Sequence, residues 1–224
     1  MESHQAIDAL SNFGFLLKDT PSGLTESDGG LSISVLLPGS TQLNVQGEYA
    51  TEVFLGRKFE TSGWSASLSS QVAKQLYLRG QVRRGYSIRY TADPYQGSGT
   101  RAVASLIYQP SDQLNWTASL TTTDFFRTSD GAKDFDYTIL RNRLTYQLNK
   151  YLFFRVVVEY NSFRESLLTD FLASFTYIPG TVLQLGYGSI YNKVKWEDGL
   201  YREDDRFLEM NRGLFFKASY LWRL

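Results

Sequence analysis

Apolar and polar residues alternate with a period of two along most of this chain, and few stretches carry the period of a helix. Successive side chains of a strand point to opposite faces, so each alternating run predicts a strand with one oily and one polar side. Twelve are predicted. The first, Ile7 to Leu17, is loosely patterned, with Phe13, Phe15 and Leu17 together. Leu31, Ile33, Val35 and Leu37 then oppose Ser32 and Ser34, and Leu43, Val45, Gly47, Tyr49 and Val53 oppose Gln42, Asn44, Gln46, Glu48 and Glu52. Trp64, Ala66 and Leu68 face away from Ser65, Ser67 and Ser69. Leu76, Leu78, Val82, Tyr86, Ile88 and Tyr90 oppose Tyr77, Arg79, Gln81, Arg83 and Arg89. Ala102 to Tyr108 follows, then Leu114, Trp116, Ala118 and Leu120 against Asn115, Thr117, Ser119 and Thr121. Leu140, Leu144, Tyr146 and Leu148 oppose Arg141, Arg143, Thr145 and Gln147. Leu152, Phe154, Val156, Val158 and Tyr160 stand against Phe153, Arg155, Val157 and Glu159. Thr169 to Tyr177, Leu183 to Tyr191 and Leu214 to Leu224 complete the set.

Connections of two lengths separate these runs. Pro38–Ser40, Gln71–Lys74, Pro110–Asp112, Asn149–Lys150 and Pro179–Gly180 are short, with proline and glycine supplying ordinary turn chemistry. Lys18–Gly30, Leu55–Thr61, Thr91–Thr100, Arg127–Lys133, Asn161–Ser166 and Asn192–Gly213 are mostly longer and polar. Short turns on one rim and long loops on the other, joining strands of about ten residues, is the pattern of an outer-membrane barrel. The expected fold is therefore all-β: an antiparallel up-and-down transmembrane β-barrel of about twelve strands, in one domain over 1–224. The closing run, Leu214 to Leu224, agrees, sending Leu214, Phe216, Ala218, Tyr220, Trp222 and Leu224 to one side. Both chain ends are expected on the short-turn rim.

A soluble β-sandwich shows the same alternation, but its strands are usually five or six residues long. The charged second face, with Arg79, Arg83, Arg141, Arg143, Arg155, Glu48 and Glu159, suits a watery or ion-paired interior better than a dry core. Two residues depart from the pattern, since Arg84 and Asn142 fall on the nominal lipid face; an arginine at a bilayer midplane costs roughly 2–4 kcal/mol. The outward aromatics Trp64, Tyr86, Tyr90, Tyr108, Tyr160, Tyr177 and Trp222 read as interfacial girdle residues.

Composition narrows the chemistry. The 224 residues include 23 basic and 23 acidic side chains, which argues against a nucleic-acid partner. With no cysteine there is no thiolate zinc site, disulfide or cysteine nucleophile. No apolar run reaches the roughly 18–20 residues of a membrane-spanning helix. Met1 to Gln5 has none of the features of a secretory signal. An exported barrel needs one, so either a signal was removed or the chain is part of a longer protein.

Three stretches in this order carry a resemblance: Leu152 to Asn161, Phe175 to Thr181, and Arg212 to Leu224. Together they resemble the carboxyl-terminal barrel of a bacterial outer-membrane family, a domain of unknown function. Its full-length members carry a signal peptide and a carbohydrate-binding-type-9-like sandwich ahead of the barrel. The likeness runs over about residues 135–224. It implies the bacterial outer membrane as location, membrane lipid and the barrel-assembly machinery as partners, and a glycan or small ligand through the missing sandwich. It also implies that this chain is the last part of such a protein, either twelve strands that close alone or the end of a larger barrel.

Candidate chemistry is sparse. The sole histidine, His4, precedes the first strand, so histidine-dependent hydrolysis is not expected. No metal or cofactor is implied. The segment 192–213 holds Glu197, Asp198, Glu203, Asp204, Asp205 and Glu209 beside Tyr191, Trp196 and Tyr201. Aromatic and acidic groups together suit a sugar or a calcium ion, and the spacing matches no calcium loop, so Trp196, Asp198 and Tyr201 are the candidate binding residues of an external loop. Interleaved Lys193, Lys195, Arg202, Arg206 and Arg212 offer the other reading, a self-neutralising solvated loop. Three functions stay open: a barrel that anchors or passes a ligand, a plugged barrel presenting a binding loop, and a carboxylate-dependent barrel hydrolase.

Overall fold

The structure, a computed structural model, describes residues 8–21, 23–178 and 180–221. His4, Pro179, Trp222 and Leu224 lie outside the described residues. The fold is all-β. Its thirteen strands are β1 (Asp8–Asp19), β2 (Thr25–Leu37), β3 (Thr41–Phe54), β4 (Arg57–Glu60), β5 (Gly63–Ala73), β6 (Leu76–Arg89) and β7 (Tyr95–Ser111). They continue with β8 (Leu114–Arg127), β9 (Lys133–Gln147), β10 (Leu152–Asn161), β11 (Ser166–Ile178), β12 (Thr181–Glu197) and β13 (Leu200–Ser219). Neighbours follow chain order, β1-β2-β3-β5-β6-β7-β8-β9-β10-β11-β12-β13, with β4 set aside on β3. That up-and-down order is the one expected from alternation and short turns.

Twelve predicted strands map onto the twelve of this path, and β4 is the addition. The segment 55–61, expected as a loop, turns back on β3 through Leu55 and Gly56, both left-handed at φ 49° and 73°. It pairs Phe54 with Arg57 and Thr51 with Glu60. The other long connections also shorten. Lys18–Gly30 was expected as loop, but β2 starts at Thr25 and pairs with β1 as far as Asp19↔Thr25. Asn192–Gly213 is a paired hairpin, not a loop: β12 and β13 run to Glu197↔Leu200 and are joined by Asp198 and Gly199 alone. Both turn residues have positive φ, 54° and 79°, the left-handed geometry that a two-residue hairpin turn needs and that Asp-Gly supplies.

The strands fall into two compact units, Met1–Ala104 with Thr121–Tyr137, and Ser105–Leu120 with Thr138–Leu224. In the first unit, register places Phe13, Leu31, Gly47, Trp64 and Arg84 in one row across β1, β2, β3, β5 and β6. The adjacent row of that face is Ser11, Ile33, Val45, Ala66 and Val82. Asn12, Ser32, Gln46, Ser65 and Arg83 form a row on the opposite face. In the second unit, Tyr146, Phe154, Ala173, Leu185 and Phe216 share a row. Leu144, Val156, Phe171, Tyr187 and Leu214 form the next.

These apolar rows are uncovered. Ile33 is 46% exposed, Trp64 47%, Leu185 46% and Phe216 69%. The buried apolar side chains among the described residues are few: Ala50, Phe59, Ile88, Phe125, Val157 and Leu172. A soluble sandwich would bury its oily face against a second layer. Here much of that face is exposed among the described residues.

Candidate functional site

Charge is confined largely to the other face, and there it is mostly paired. In the first unit the Arg83 guanidinium lies 3.7 Å from the Glu48 carboxylate and donates to the Thr61 carbonyl at 3.2 Å. Arg89 meets Asp134 at 3.0 Å, its guanidinium 5.1 Å from the Phe135 ring centre. Arg79 is exposed on the same face, and no ion pair or hydrogen bond among the described residues engages its guanidinium. In the second unit Arg141 donates to Glu159 at 3.0 Å and Arg155 to Asp170 at 3.1 Å. Arg143 donates to the Thr117 hydroxyl at 3.3 Å. The charges expected on one face thus do share it within each unit. Asp170 and Asp134 are the partners that sequence left unmarked, because a cross-strand neighbour depends on register. Glu52, on the same side of its strand as Glu48, accepts from the Tyr90 hydroxyl at 2.8 and 2.9 Å. Partial burial, then the Glu52 hydrogen bond and charge, push the Tyr90 phenol up to about 12.

Of the two departures on the apolar face, Asn142 has a hydrogen-bond partner there. Asn142 lies in a row with Val158, Thr169, Ser189 and Arg212, one step beyond the Leu144 row. It accepts from the Trp116 indole N–H at 3.3 Å, and Ser189 donates to Glu209 at 2.7 Å. A further row, Leu140, Tyr160, Leu167 and Tyr191, lies beyond it, so this polar row interrupts the oily face between that row and the Leu144 row. Arg84 sits directly across from Trp64 and is exposed.

At the β12–β13 tip the structure brings together all three residues predicted to bind. Trp196 pairs in register with Tyr201, their rings edge to face at 4.7 Å, and Asp198 occupies the turn. Their neighbours neutralise one another: Lys195–Glu197 at 2.9 Å, Arg202–Glu197 at 3.7 Å and Arg202–Asp198 at 3.4 Å. Both rings are more than half exposed. The tip presents aromatic surface.

A cavity the sequence did not mark lies on the polar face of the first unit. Its volume is about 320 Å³, and Arg83, Arg89, Arg101, Phe125 and Phe135 line it. The Phe125 ring covers Gly97, which puts Gly97, Gly99 and Arg101 on the face of Phe125 by strand alternation. Phe125 and Phe135 are parallel, 4° apart, with centres at 5.4 Å. Gly85 and Gly99 also line the cavity, and a Cβ on either would run into backbone, the Ser62 or the Asp124 carbonyl. Close backbone approach therefore shapes the wall, and glycine is required for it. Gly97-Ser98-Gly99 was the available signal, though a glycine pair inside a strand has many causes. Among the described residues no cluster of three or more metal-ligating side chains occurs.

No family model matches the sequence, and no curated protein is recognisably similar to it. Several solved structures are similar at low identity. The NanC porin matches 95% of this chain and 99% of its own, at 11% identity and a TM-score of 0.38. A Pseudomonas aeruginosa FadL homologue matches 96% of this chain and 68% of its own, at 13% identity and a TM-score of 0.38. The Ralstonia pickettii toluene transporter TbuX matches 84% of this chain and 64% of its own, at 10% identity and a TM-score of 0.36. Likeness of this degree carries no inference about what this chain binds or passes.

Proposed function

We propose that this chain is a non-enzymatic β-barrel of a bacterial outer membrane that anchors or passes a ligand. One observation carries the reading: each unit presents an uncovered apolar face on one side and a largely ion-paired face on the other. Lipid is the environment that an exposed oily face of long strands satisfies. In the second unit that face runs from Tyr220 to Arg212, about 27 Å along the strand at ~3.4 Å per residue. A tilt of ~40° reduces this to about 21 Å, close to the ~25 Å apolar band of such barrels. Tyr220 at one border, with Tyr160, Tyr191 and Trp116 near the other, suits the aromatic girdles. Membrane lipid and the barrel-assembly machinery are the partners this location requires. A link to glycans is supported by the family resemblance of residues 135–224 and by the aromatic and acidic side chains of the β12–β13 tip.

The paired charges favour a second reading of the same scaffold. Arginines held by Glu48, Asp134, Glu159 and Asp170 are spent on one another, as in a plugged barrel that presents its β12–β13 tip outward. Two measurements separate these readings and test their common ground. Heat-modifiable gel migration in detergent is expected; a protein that stays soluble and folded without detergent would end the membrane reading. Discrete current steps in a planar bilayer support passage, whereas silence supports the plugged scaffold.

A further inference from the structure

The cavity of the first unit contains one cation that the polar face leaves uncommitted. We propose that this cavity binds a small carboxylate with an aromatic or similarly apolar body, Arg101 receiving the carboxylate. Arg83 is engaged by Glu48 and the Thr61 carbonyl, and Arg89 by Asp134. Arg101 lines the same space, yet no ion pair or hydrogen bond among the described residues uses its guanidinium. Asp124, the acid lining the cavity, is occupied in part by the Thr100 backbone N–H, which donates to its Oδ1 at 2.8 Å. The planar fork of a guanidinium matches a carboxylate with two parallel hydrogen bonds.

The rest of the wall selects for an apolar body. Phe125 and Phe135 form a parallel aromatic pair, and Gly85 and Gly99 let neighbouring backbone close in to shape the wall beside it. The Thr123 hydroxyl, also lining the cavity, is buried without a hydrogen-bond partner. A volume near 320 Å³ stands at the small end of ligand pockets. Phosphate would leave the aromatic wall unused, and a neutral hydrocarbon would leave Arg101 unanswered. The assignment names a ligand class for the barrel proposed above, but it rests on the geometry of the first unit and requires no conductance.

The test is titration of the full chain, purified in detergent, with benzoate, benzyl alcohol and acetate, followed by calorimetry or ligand-observed NMR. Benzoate is expected to saturate, with the other two at least about tenfold weaker. Arg101→Gln should lower benzoate affinity about tenfold and leave benzyl alcohol unchanged. Phe135→Leu should weaken benzoate and benzyl alcohol alike. Arg79→Gln, removing another unpaired arginine of that face, should leave benzoate binding at the wild-type level. Should Arg101→Gln fail to give the heat-modifiable form, Arg101→Lys keeps the charge, loses the fork and should still cost several-fold. No saturable benzoate binding by the folded protein, equal affinity for the three probes, or an equal loss in the Arg79 and Arg101 variants overturns the assignment. None of those results touches the membrane reading, which stands or falls on gel migration.

Discussion

Within the second unit, the strand rows from Leu152 to Tyr160 and the β12–β13 tip beyond Asn192 obey different rules. In the rows, apolar side chains hold one face without interruption for three steps, and the charges pair on the other. At the tip, Lys195 lies across from Arg202 and Val194 across from Glu203, and charge is no longer sorted by face. Register also slips twice on the way out, between Ile190 and Tyr191 and between Lys193 and Val194. Each bulge breaks strict alternation. The difference teaches where the two-faced stretch ends: faces are strictly sorted along the rows, as the proposed lipid face would require, and are not sorted at the tip.

That contrast can be broken most forcefully by moving a charge. Leu185→Arg, in the middle of the oily rows, should cost about 2–4 kcal/mol and deplete the folded band in detergent or lipid. Val194→Arg, opposite Glu203 at the tip, should stay within about 0.5 kcal/mol. Equal effects at the two sites would erase the distinction. Next in size is Gly99→Val in the first unit, whose new Cβ would meet the Asp124 carbonyl. A loss of about 1–3 kcal/mol in denaturant titration, with loss of benzoate binding, is expected there. Gly80→Ala, where a Cβ meets nothing within 4 Å, should leave both measurements unchanged.

Smaller effects sharpen the picture of the polar face. Arg141→Ala leaves the half-buried Glu159 without its cation and should cost about 0.5–1 kcal/mol, partly recovered by adding Glu159→Gln. Trp196→Ala removes the edge-to-face contact with Tyr201 and should cost about 0.5 kcal/mol at the tip alone, read as faster local proteolysis with the gel shift intact. Least of all is an alkaline effect at Tyr90. Its phenol titrates near 12 in the folded protein against about 10 when unfolded, so the folded state holds the proton more tightly. The stabilisation is complete below pH ~10 and is lost as pH rises toward ~12. Stability measured across that window should fall in the wild type and fall less in Tyr90→Phe.

Alternation made the path strands legible because a sheet with unlike faces cannot tolerate the wrong side chain for long. Leu152 to Tyr160 shows this most plainly: Leu152, Phe154, Val156, Val158 and Tyr160 hold the apolar face, and both charges, Arg155 and Glu159, fall on the other. The same logic failed at 192–213, where charges of both signs read as loop, although Asp198-Gly199 was the local signature of a tight hairpin turn. Asn142 looked like an error on the oily face because its partner, the Trp116 indole, lies across a strand boundary that sequence spacing does not reveal. The cavity was invisible for a related reason. Its wall depends on how closely backbone approaches Gly85 and Gly99, and its chemistry on Arg101 being the arginine no neighbouring acid has taken.

The turn at Asp198–Gly199 has a practical consequence. It closes a ladder that extends past the last sorted row, so lengthening it disturbs only the pairs next to it, Glu197↔Leu200 and Trp196↔Tyr201. Exposed loop tips of this kind accept insertions. A short epitope or affinity tag placed between Asp198 and Gly199 would be carried on a stiff two-stranded arm. On the membrane reading proposed above, antibody labelling of intact cells through that tag would report whether this tip faces the outside.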